Sequence, residues 1–166
     1  EHVWYDVDFP EVIRERKRYY KETAEYHMIE ADVRNNDWLA DIPKEKTAII
    51  VMEGISMYLR LEELKQLLVM IQNHFMNAHI LMDCYTEFSA KASKYKNPIN
   101  EVGVTSVYGL DDPKALESSG LTVVCEHNMT PPDLIGQLEG MEKHIFKNLY
   151  AGTVARKMYR MYEYRK

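Results

Sequence analysis

Glycine is scarce in this chain and never clustered. Its 166 residues include 7 glycines, at 54, 103, 109, 120, 136, 140 and 152. No two stand close enough to form G-x-G, so the glycine-rich turn that normally follows the first strand of a nucleotide-binding α/β fold is missing. Cysteine is rarer still. Cys84 and Cys125 are the 2 present, each at the end of an apolar run, and two isolated cysteines make neither a disulfide framework nor a zinc site by spacing. They read as buried free thiols of a cytoplasmic protein, and no metal is expected. No apolar run approaches the roughly 18 residues of a membrane span. Basic charge is in deficit: 21 Lys and Arg against 26 Asp and Glu leave a net charge of -5, which excludes a general nucleic-acid surface. The one basic run, Arg14 to Arg18, is interrupted by Glu15 and flanked by Glu11 and Glu22. It fits a solvated helix face, with attraction of an anionic ligand as the functional alternative. There is no internal repeat and no low-complexity tract.

What is present is globular. Apolar residues make up 46% and charged residues 28%, at a length that suits a single domain over 1–166. Val3 to Asp8 reads as a strand. Pro10 and Glu11 then start a helix expected to run to about residue 24, with Val12, Ile13 and Tyr20 inside. His27 to Ala31 is a second strand, followed by a turn at Asn35-Asn36-Asp37 and a packing segment at Trp38-Leu39. Ala48 to Met52 is unbroken and β-branched, which predicts a strand covered on both faces. Leu61 to Met76 repeats Leu and Ile at helical steps. Ala78 to Asp83 is the next buried strand, and 86–95 reads as helix. A polar connection from Asn97 to Gly109 leads to Asp111-Asp112-Pro113, a helix start that Gly120 ends. Leu121 to Cys125 is a strand. Residues 134–150 read as a helix weakened by Gly136 and Gly140. The tail from Arg156 to Arg165 alternates with period two, which predicts a half-exposed antiparallel strand near an edge, with a basic helix as the competing reading. Strands alternating with helices give an α/β sheet.

Three of these strands close on a carboxylate: Asp8, Asp32 and Glu53. Ligands of a doubly wound sheet sit in the crevice beyond the carboxyl ends of its strands. One carboxylate there can accept both hydroxyl protons of a ribose and another can meet a base edge, so the pattern points to a nucleoside-containing ligand. Plainer roles exist. Asp8 can cap the helix at Pro10, and Asp32 can organise the Arg34-Asn35-Asn36 turn. Glu53 follows buried aliphatic residues directly, a place where a carboxylate is costly unless paired or binding something.

The residues also resemble a family. Val7-Asp8-Phe9-Pro10-Glu11-Val12-Ile13 resembles the second-strand motif of the leucine carboxyl methyltransferases, which include the tetracenomycin-type polyketide O-methyltransferases. Ala31-Asp32-Val33-Arg34 with Trp38 resembles the family's A-D-L-R…W motif, and Glu53-Gly54-Ile55-Ser56-Met57-Tyr58-Leu59 the motif after its fourth strand. Asn97-Pro98-Ile99 and Tyr108-Gly109-Leu110-Asp111-Asp112-Pro113 look like the N-P-I…W-G-I-D-D-P segment of the bacterial small-molecule branch. The resemblance implies a Rossmann-like class I sheet and S-adenosylmethionine as cofactor. By it, Asp8 binds the ribose hydroxyls, and Asp32 with the backbone of Val33 meets the adenine. Glu53 lies beside the methionine-ribose portion, and Tyr58 faces the methyl-transfer site. The family's first strand, its glycine-rich loop and its cofactor-carboxylate arginine are not in the chain. The chain opens at Glu1 within a strand, so these parts are expected upstream in a longer protein.

The leading expectation is an O-methyltransferase acting on a small-molecule hydroxyl or carboxyl acceptor, with no nucleic-acid or membrane partner and the homo-oligomeric state open. A carboxylate acceptor needs no general base; a phenol or alcohol benefits from one. His127 is a candidate base beside the reading of an ordinary loop histidine, and Tyr58 a candidate acceptor contact beside that of a core aromatic. The alternative is a degenerate, non-catalytic methyltransferase-like interaction module. A nucleotide-dependent oxidoreductase is a third reading, since Asp8 also suits an NAD ribose.

Overall fold

The computed structural model describes residues 2–44, 47–93, 106–128, 130–151 and 153–166. The elements follow the α/β alternation. β1 (Trp4–Asp8) runs into α1 (Pro10–Arg16), and β2 (Tyr26–Glu30) leads through a 3-10 turn at Asp37–Asp41 to β3 (Thr47–Met52). After a further 3-10 turn at Ser56–Tyr58 come α2 (Leu61–His74), β4 (Asn77–Tyr85) and α3 (Glu87–Ala92). A 3-10 helix at Pro113–Ser119 precedes β5 (Thr122–His127), and α4 (Pro132–Gln137), α5 (Gly140–Ile145) and α6 (Thr153–Met158) precede β6 (Tyr159–Arg165).

The strands form two sheets. β1 pairs in parallel with β2, Trp4 opposite Tyr26 and Asp8 opposite Glu30. The other sheet has the order β3-β4-β6-β5, with β3 and β4 parallel and β6 antiparallel to both its neighbours. Among the described residues, β1 and β3 each pair along one edge only. The core lies on one face of the four-stranded sheet. Side chains two apart share a face, so Ala78, Ile80, Met82 and Cys84 of β4 meet Tyr162 and Tyr164 of β6. Leu64, Leu67, Leu68 and Ile71, spaced at helical steps on α2, pack into the same cluster. Val7, Ile29 and Val33 pack against it too, which joins the two-stranded sheet to the same core.

Several expectations need correction. α1 stops at Arg16, because only Ile13 finds the core; Val12 is exposed and Tyr20 is 60% exposed, so nothing holds the helix beyond its second turn. β3 is not covered on both faces: Ile50 turns inward, while Ile49 is 76% and Val51 54% exposed. The tail is an antiparallel strand near an edge, one place in from the edge strand β5, but it is not half exposed: it lies between β4 and β5 and buries Tyr162 and Tyr164. The helix expected over 134–150 breaks. Leu138 and Glu139 are extended, and Gly140 takes a φ of 57°, a left-handed value that favours glycine. Cys84 is buried as expected, and its thiol is pushed up to about 11 chiefly by burial. Cys125 is exposed, on a stretch of β5 where the register slips between Val123 and Cys125. The segment Asn97-Pro98-Ile99 lies outside the described residues.

Candidate active site

The parallel pairing of β1 with β2 and of β3 with β4 brings the carboxyl ends of each pair together. At the first pair, the Ala31 N–H donates to the Asp8 carbonyl at 2.9 Å, so Asp32 and Val33 follow directly beside the end of β1. The Asp8 carboxylate is half-buried and accepts only the N–H of Phe9, at 2.8 Å, among the described residues. It does not cap α1, whose N-cap is Phe9 with no side-chain bond. One face of that carboxylate is therefore available.

Asp32 is committed elsewhere. It accepts the Arg34 backbone N–H at 3.0 Å and the Arg34 guanidinium on both oxygens, at 2.9 and 2.5 Å. These bonds organise the turn and hold the Asp32 carboxyl below its ordinary range. Val33 is half-buried and packs against the core, which fixes the position of this turn.

Two positions before Asp8, on the same face of β1, sits an acid that carries structure. Asp6 accepts from Trp4 Nε1 at 2.8 Å, from Arg16 of α1 at 2.6 Å and from the Tyr26 hydroxyl of β2 at 2.5 Å. Burial alone pushes Asp6 up, but the bonds from Tyr26, Trp4 and Arg16 outweigh it and the carboxyl lies below its ordinary value. The bulk of Arg14–Arg18 is correspondingly structural or solvated: Arg16 holds Asp6, Lys17 pairs with Glu30 and Arg18 with Glu15.

The second pair of strand ends holds Glu53, Asp83 and a set of tyrosines. Glu53 is exposed and forms no hydrogen bond or ion pair among the described residues. The costly buried acid expected at Glu53 is instead Asp83, near the end of β4 and only 6% exposed. Asp83 accepts the Gly54 N–H on both oxygens at 2.9 Å and the Tyr159 hydroxyl on Oδ2. Burial, then the bond to Asp83, pushes the Tyr159 hydroxyl far up, and the Glu53 charge adds to the effect. Ser56 donates to the Asp83 carbonyl, which fastens the 53–58 turn to the end of β4. Tyr58 is 37% exposed on that turn, and burial, then the Tyr85 and Asp83 charges, raise its hydroxyl. In sequence, Asp83 closes an apolar run just as Glu53 does; the signal was there, and what was invisible is that Tyr159 comes to it from 76 residues away.

The two halves also meet at the start of α2. Glu63 accepts the Arg60 N–H at 2.8 Å and the Arg60 guanidinium at 3.0 Å, and these bonds, with a smaller contribution from the charge of Arg34, hold its carboxyl low. Behind the turn, Ser56, Leu59, Cys84, Tyr85 and Leu110 line a cavity of about 20 Å³, room for about one water. His127 is the last residue of β5, two strands away from β4, and its ring bonds to Glu163 at 2.9 Å.

The segment from Tyr108 to Pro113 is built for close approach. Leu110 N–H donates to the Tyr85 carbonyl at 2.8 Å, and Asp111 accepts the N–H of Glu87 at the start of α3 at 2.9 Å. Asp112 caps the following 3-10 helix through the Lys114 N–H at 2.9 Å. At Gly109 a Cβ would stand 2.4 Å from the backbone of Thr86 and Glu87. Only glycine fits there.

Three comparisons bear on this arrangement. The leucine carboxyl methyltransferase family model matches residues 1–72. The chain is 31% identical over 144 residues to the tetracenomycin polyketide synthesis O-methyltransferase TcmP of Streptomyces glaucescens, covering 86% of the chain and 53% of that protein. The chain belongs to the leucine carboxyl methyltransferase family. A second relative, the S-adenosyl-L-methionine-dependent methyltransferase dpfgK of Gibberella zeae, is 30% identical over 128 residues, covering 70% of the chain and 43% of that protein. The chain thus spans about half the length of the curated relatives it matches. A crystal structure of an S-adenosylmethionine-dependent methyltransferase from Mesorhizobium loti superposes with a TM-score of 0.62 at 12% identity, over 98% of the chain and 79% of that structure. At that identity the likeness shows the fold, an α/β methyltransferase sheet. Within the described residues no helix is long and apolar enough to cross a membrane.

Proposed function

We propose that this chain forms the downstream part of a cytoplasmic S-adenosylmethionine-dependent O-methyltransferase that acts on a small-molecule hydroxyl or carboxyl acceptor of the polyketide type. The observation that carries the reading is the pair of open carboxylates, Asp8 and Glu53, beyond the ends of parallel strands in a chain with these relatives. Asp8 has an oxygen to offer ribose hydroxyls. Glu53 is free to meet the methionine-ribose portion. Asp32 fits less simply, because Arg34 already fills its carboxylate; its part at the adenine is to fix the Val33 backbone. The unpaired edges of β1 and β3 support a further strand of the same protein beside them, in the place where the fold carries its central strand and glycine-rich loop.

The cofactor supplies an activated methyl on a sulfonium, so little covalent chemistry is left to the protein. Its residues hold the acceptor in line and exclude water. Tyr58, half-exposed beside Tyr85 and Asp83, orients the acceptor oxygen. The raised hydroxyls of Tyr58 and Tyr159 stay protonated at neutral pH, which makes them hydrogen-bond donors and not bases. His127 is engaged with Glu163 and takes no part in this reading.

The test is calorimetry with S-adenosylhomocysteine on the whole protein and on residues 1–166, with NAD as the comparison ligand. The whole protein binds S-adenosylhomocysteine in preference to NAD, and residues 1–166 bind it weakly or not at all. Asp8→Asn keeps the size and loses the charged acceptor, for which charge-assisted bonds of roughly 1.5–3 kcal/mol translate into about tenfold to a hundredfold weaker binding. A preference for NAD would overturn the reading. Absence of binding by the whole protein would favour a non-catalytic interaction module, which the exposed Ile49 and Val51 on a strand with one open edge among the described residues would suit.

A further inference from the structure

One side-chain cluster stands apart from the candidate active site. Cys125 and His127, two apart on β5, project to the same face of the sheet. Glu163 of β6 lies opposite Cys125 in the register. Cys125 Sγ is 3.4 Å from His127 Nε2 and 3.7 Å from Glu163 Oε2, and His127 Nε2 is 2.9 Å from Glu163 Oε2. Three ligand atoms of different chemistry, a sulfur, an imidazole nitrogen and a carboxylate oxygen, therefore converge within 4.8 Å of one another.

The cluster is not wired as a nucleophile. A Cys-His-acid triad uses one ring nitrogen for the thiol and the other for the acid. Here Nε2 faces both. Burial and then the Glu163 charge also push the Cys125 thiol up, the wrong direction for a reactive thiolate.

The same geometry suits a metal. Tetrahedral zinc bonds of about 2.3 Å to sulfur and about 2.0–2.2 Å to nitrogen and oxygen separate the ligand atoms by about 3.6 Å for S···N and S···O and about 3.4 Å for N···O. Two of the three separations in the structure, 3.4 and 3.7 Å, are already near those values. The third, 2.9 Å, has only to widen by a side-chain adjustment. The other oxygen of Glu163 is held by Arg165, with Nε at 2.9 Å and Nη2 at 2.8 Å, which orients the carboxylate as outer partners of metal ligands do. A thiolate, a neutral imidazole and a carboxylate sum to two negative charges, which one divalent ion neutralises. Sulfur and nitrogen donors exclude magnesium and calcium in favour of zinc.

We propose that Cys125, His127 and Glu163 form a zinc site that ties the edge strand β5 to β6 and leaves one coordination position open to solvent. On binding, the thiol proton leaves to solvent and His127 gives up the hydrogen on Nε2, to Nδ1 if the ring is neutral or to solvent if it is imidazolium; no electron is transferred. The site is independent of the methyltransferase reading. It escapes notice in sequence because Cys-x-His is a weak signal and the third ligand is 36 residues on.

Cobalt(II) titration of the chain is the test, since a cobalt–thiolate bond gives an absorption band that oxygen and nitrogen ligands do not. The expected result is one cobalt per chain with that band, its displacement by zinc, and a melting midpoint that rises with added zinc. Cys125→Ser abolishes the band and the zinc-dependent rise. His127→Ala and Glu163→Gln weaken binding by at least about tenfold. Cys84→Ala, with folding checked by circular dichroism, retains the band. No thiolate band in the wild-type chain, or a band that survives Cys125→Ser, would overturn the proposal.

Discussion

Replacing Asp83 by Asn tests the device that holds the acceptor side of the candidate site. The carboxylate receives two donors, the Gly54 N–H and the Tyr159 hydroxyl, in a place only 6% exposed. An Asn oxygen at the Oδ2 position can still accept from both, because the Gly54 N–H bridges the two oxygens, but the charge is lost and the NH2 at the Oδ1 position meets the Gly54 N–H, donor against donor. Hydrogen bonds to charged groups contribute roughly 1.5–3 kcal/mol, and a buried donor left unsatisfied costs about 1–3 kcal/mol, so Asp83→Asn is expected to destabilise by about 2–4 kcal/mol. With a urea slope of about 2 kcal/mol per molar, the unfolding midpoint falls by about 1–2 M. Tyr159→Phe removes one donor and leaves the carboxylate its bond to Gly54, so its loss is about 1.5–3 kcal/mol. The two act on one interaction, and the double variant should lose less than the sum. Removing a buried charge works in the opposite direction. An Asp83→Asn protein within about 0.5 kcal/mol of wild type, or more stable, or strictly additive with Tyr159→Phe, would refute the assignment of Asp83 as the clamp on the 53–58 turn.

Gly109→Ala places a methyl 2.4 Å from the Thr86 and Glu87 backbone, and chemical denaturation should show a loss of at least about 1–3 kcal/mol from overpacking. Asp6 has a folded value below its ordinary 3.8, so its stabilisation is complete above that pH and is lost as the pH falls through the folded value. Urea midpoints compared at about pH 6 and about pH 3 should show a smaller acid loss in Asp6→Asn than in wild type. On the proposed function, Tyr58→Phe in the whole protein should lower kcat/KM for a phenolic or carboxylic acceptor while leaving S-adenosylhomocysteine affinity and melting temperature near wild type. An unchanged rate would return Tyr58 to the core.

Much of the architecture was legible because its signals are local. The alternation of apolar runs and helical periods located each strand among the described residues, and Leu64, Leu67, Leu68 and Ile71 are the buried face that the spacing predicts. Asp112 and Pro113 open a helix where the capping rules place one. What stayed hidden depends on partners distant in sequence. An apolar run such as Ala48 to Met52 states that its residues avoid water, not what covers each face, and Ile49 and Val51 are open in this chain. Period two in the tail gave the strand but not its place between β4 and β5, which turns Tyr162 and Tyr164 into core. The same limit applies to the site. Asp8, Asp32 and Glu53 stand out by position, yet position does not reveal that Arg34 occupies Asp32, nor that the buried acid is Asp83.

The acids at the strand ends divide by what already occupies them, and that division predicts which substitutions separate binding from stability. Asp6 and Asp83 each receive donors from at least two different elements, so they hold the frame: Asp6 ties β1 to α1 and β2, and Asp83 ties β4 to the 53–58 turn and β6. Asp8 and Glu53 lie beside them, two residues along the strand in one case and across the turn in the other, with little or nothing bound among the described residues. Their backbones are held by the frame acids' neighbours while their carboxylates are unsatisfied, so a ligand has only the two side chains left to order. Substituting the frame acids should lower stability first and ligand affinity through it. Substituting the open acids should lower affinity with the melting temperature unmoved. If Asp8→Asn and Glu53→Gln instead reduced stability as much as Asp6→Asn and Asp83→Asn, the division between frame and site would be wrong, and the four carboxylates would be one structural network.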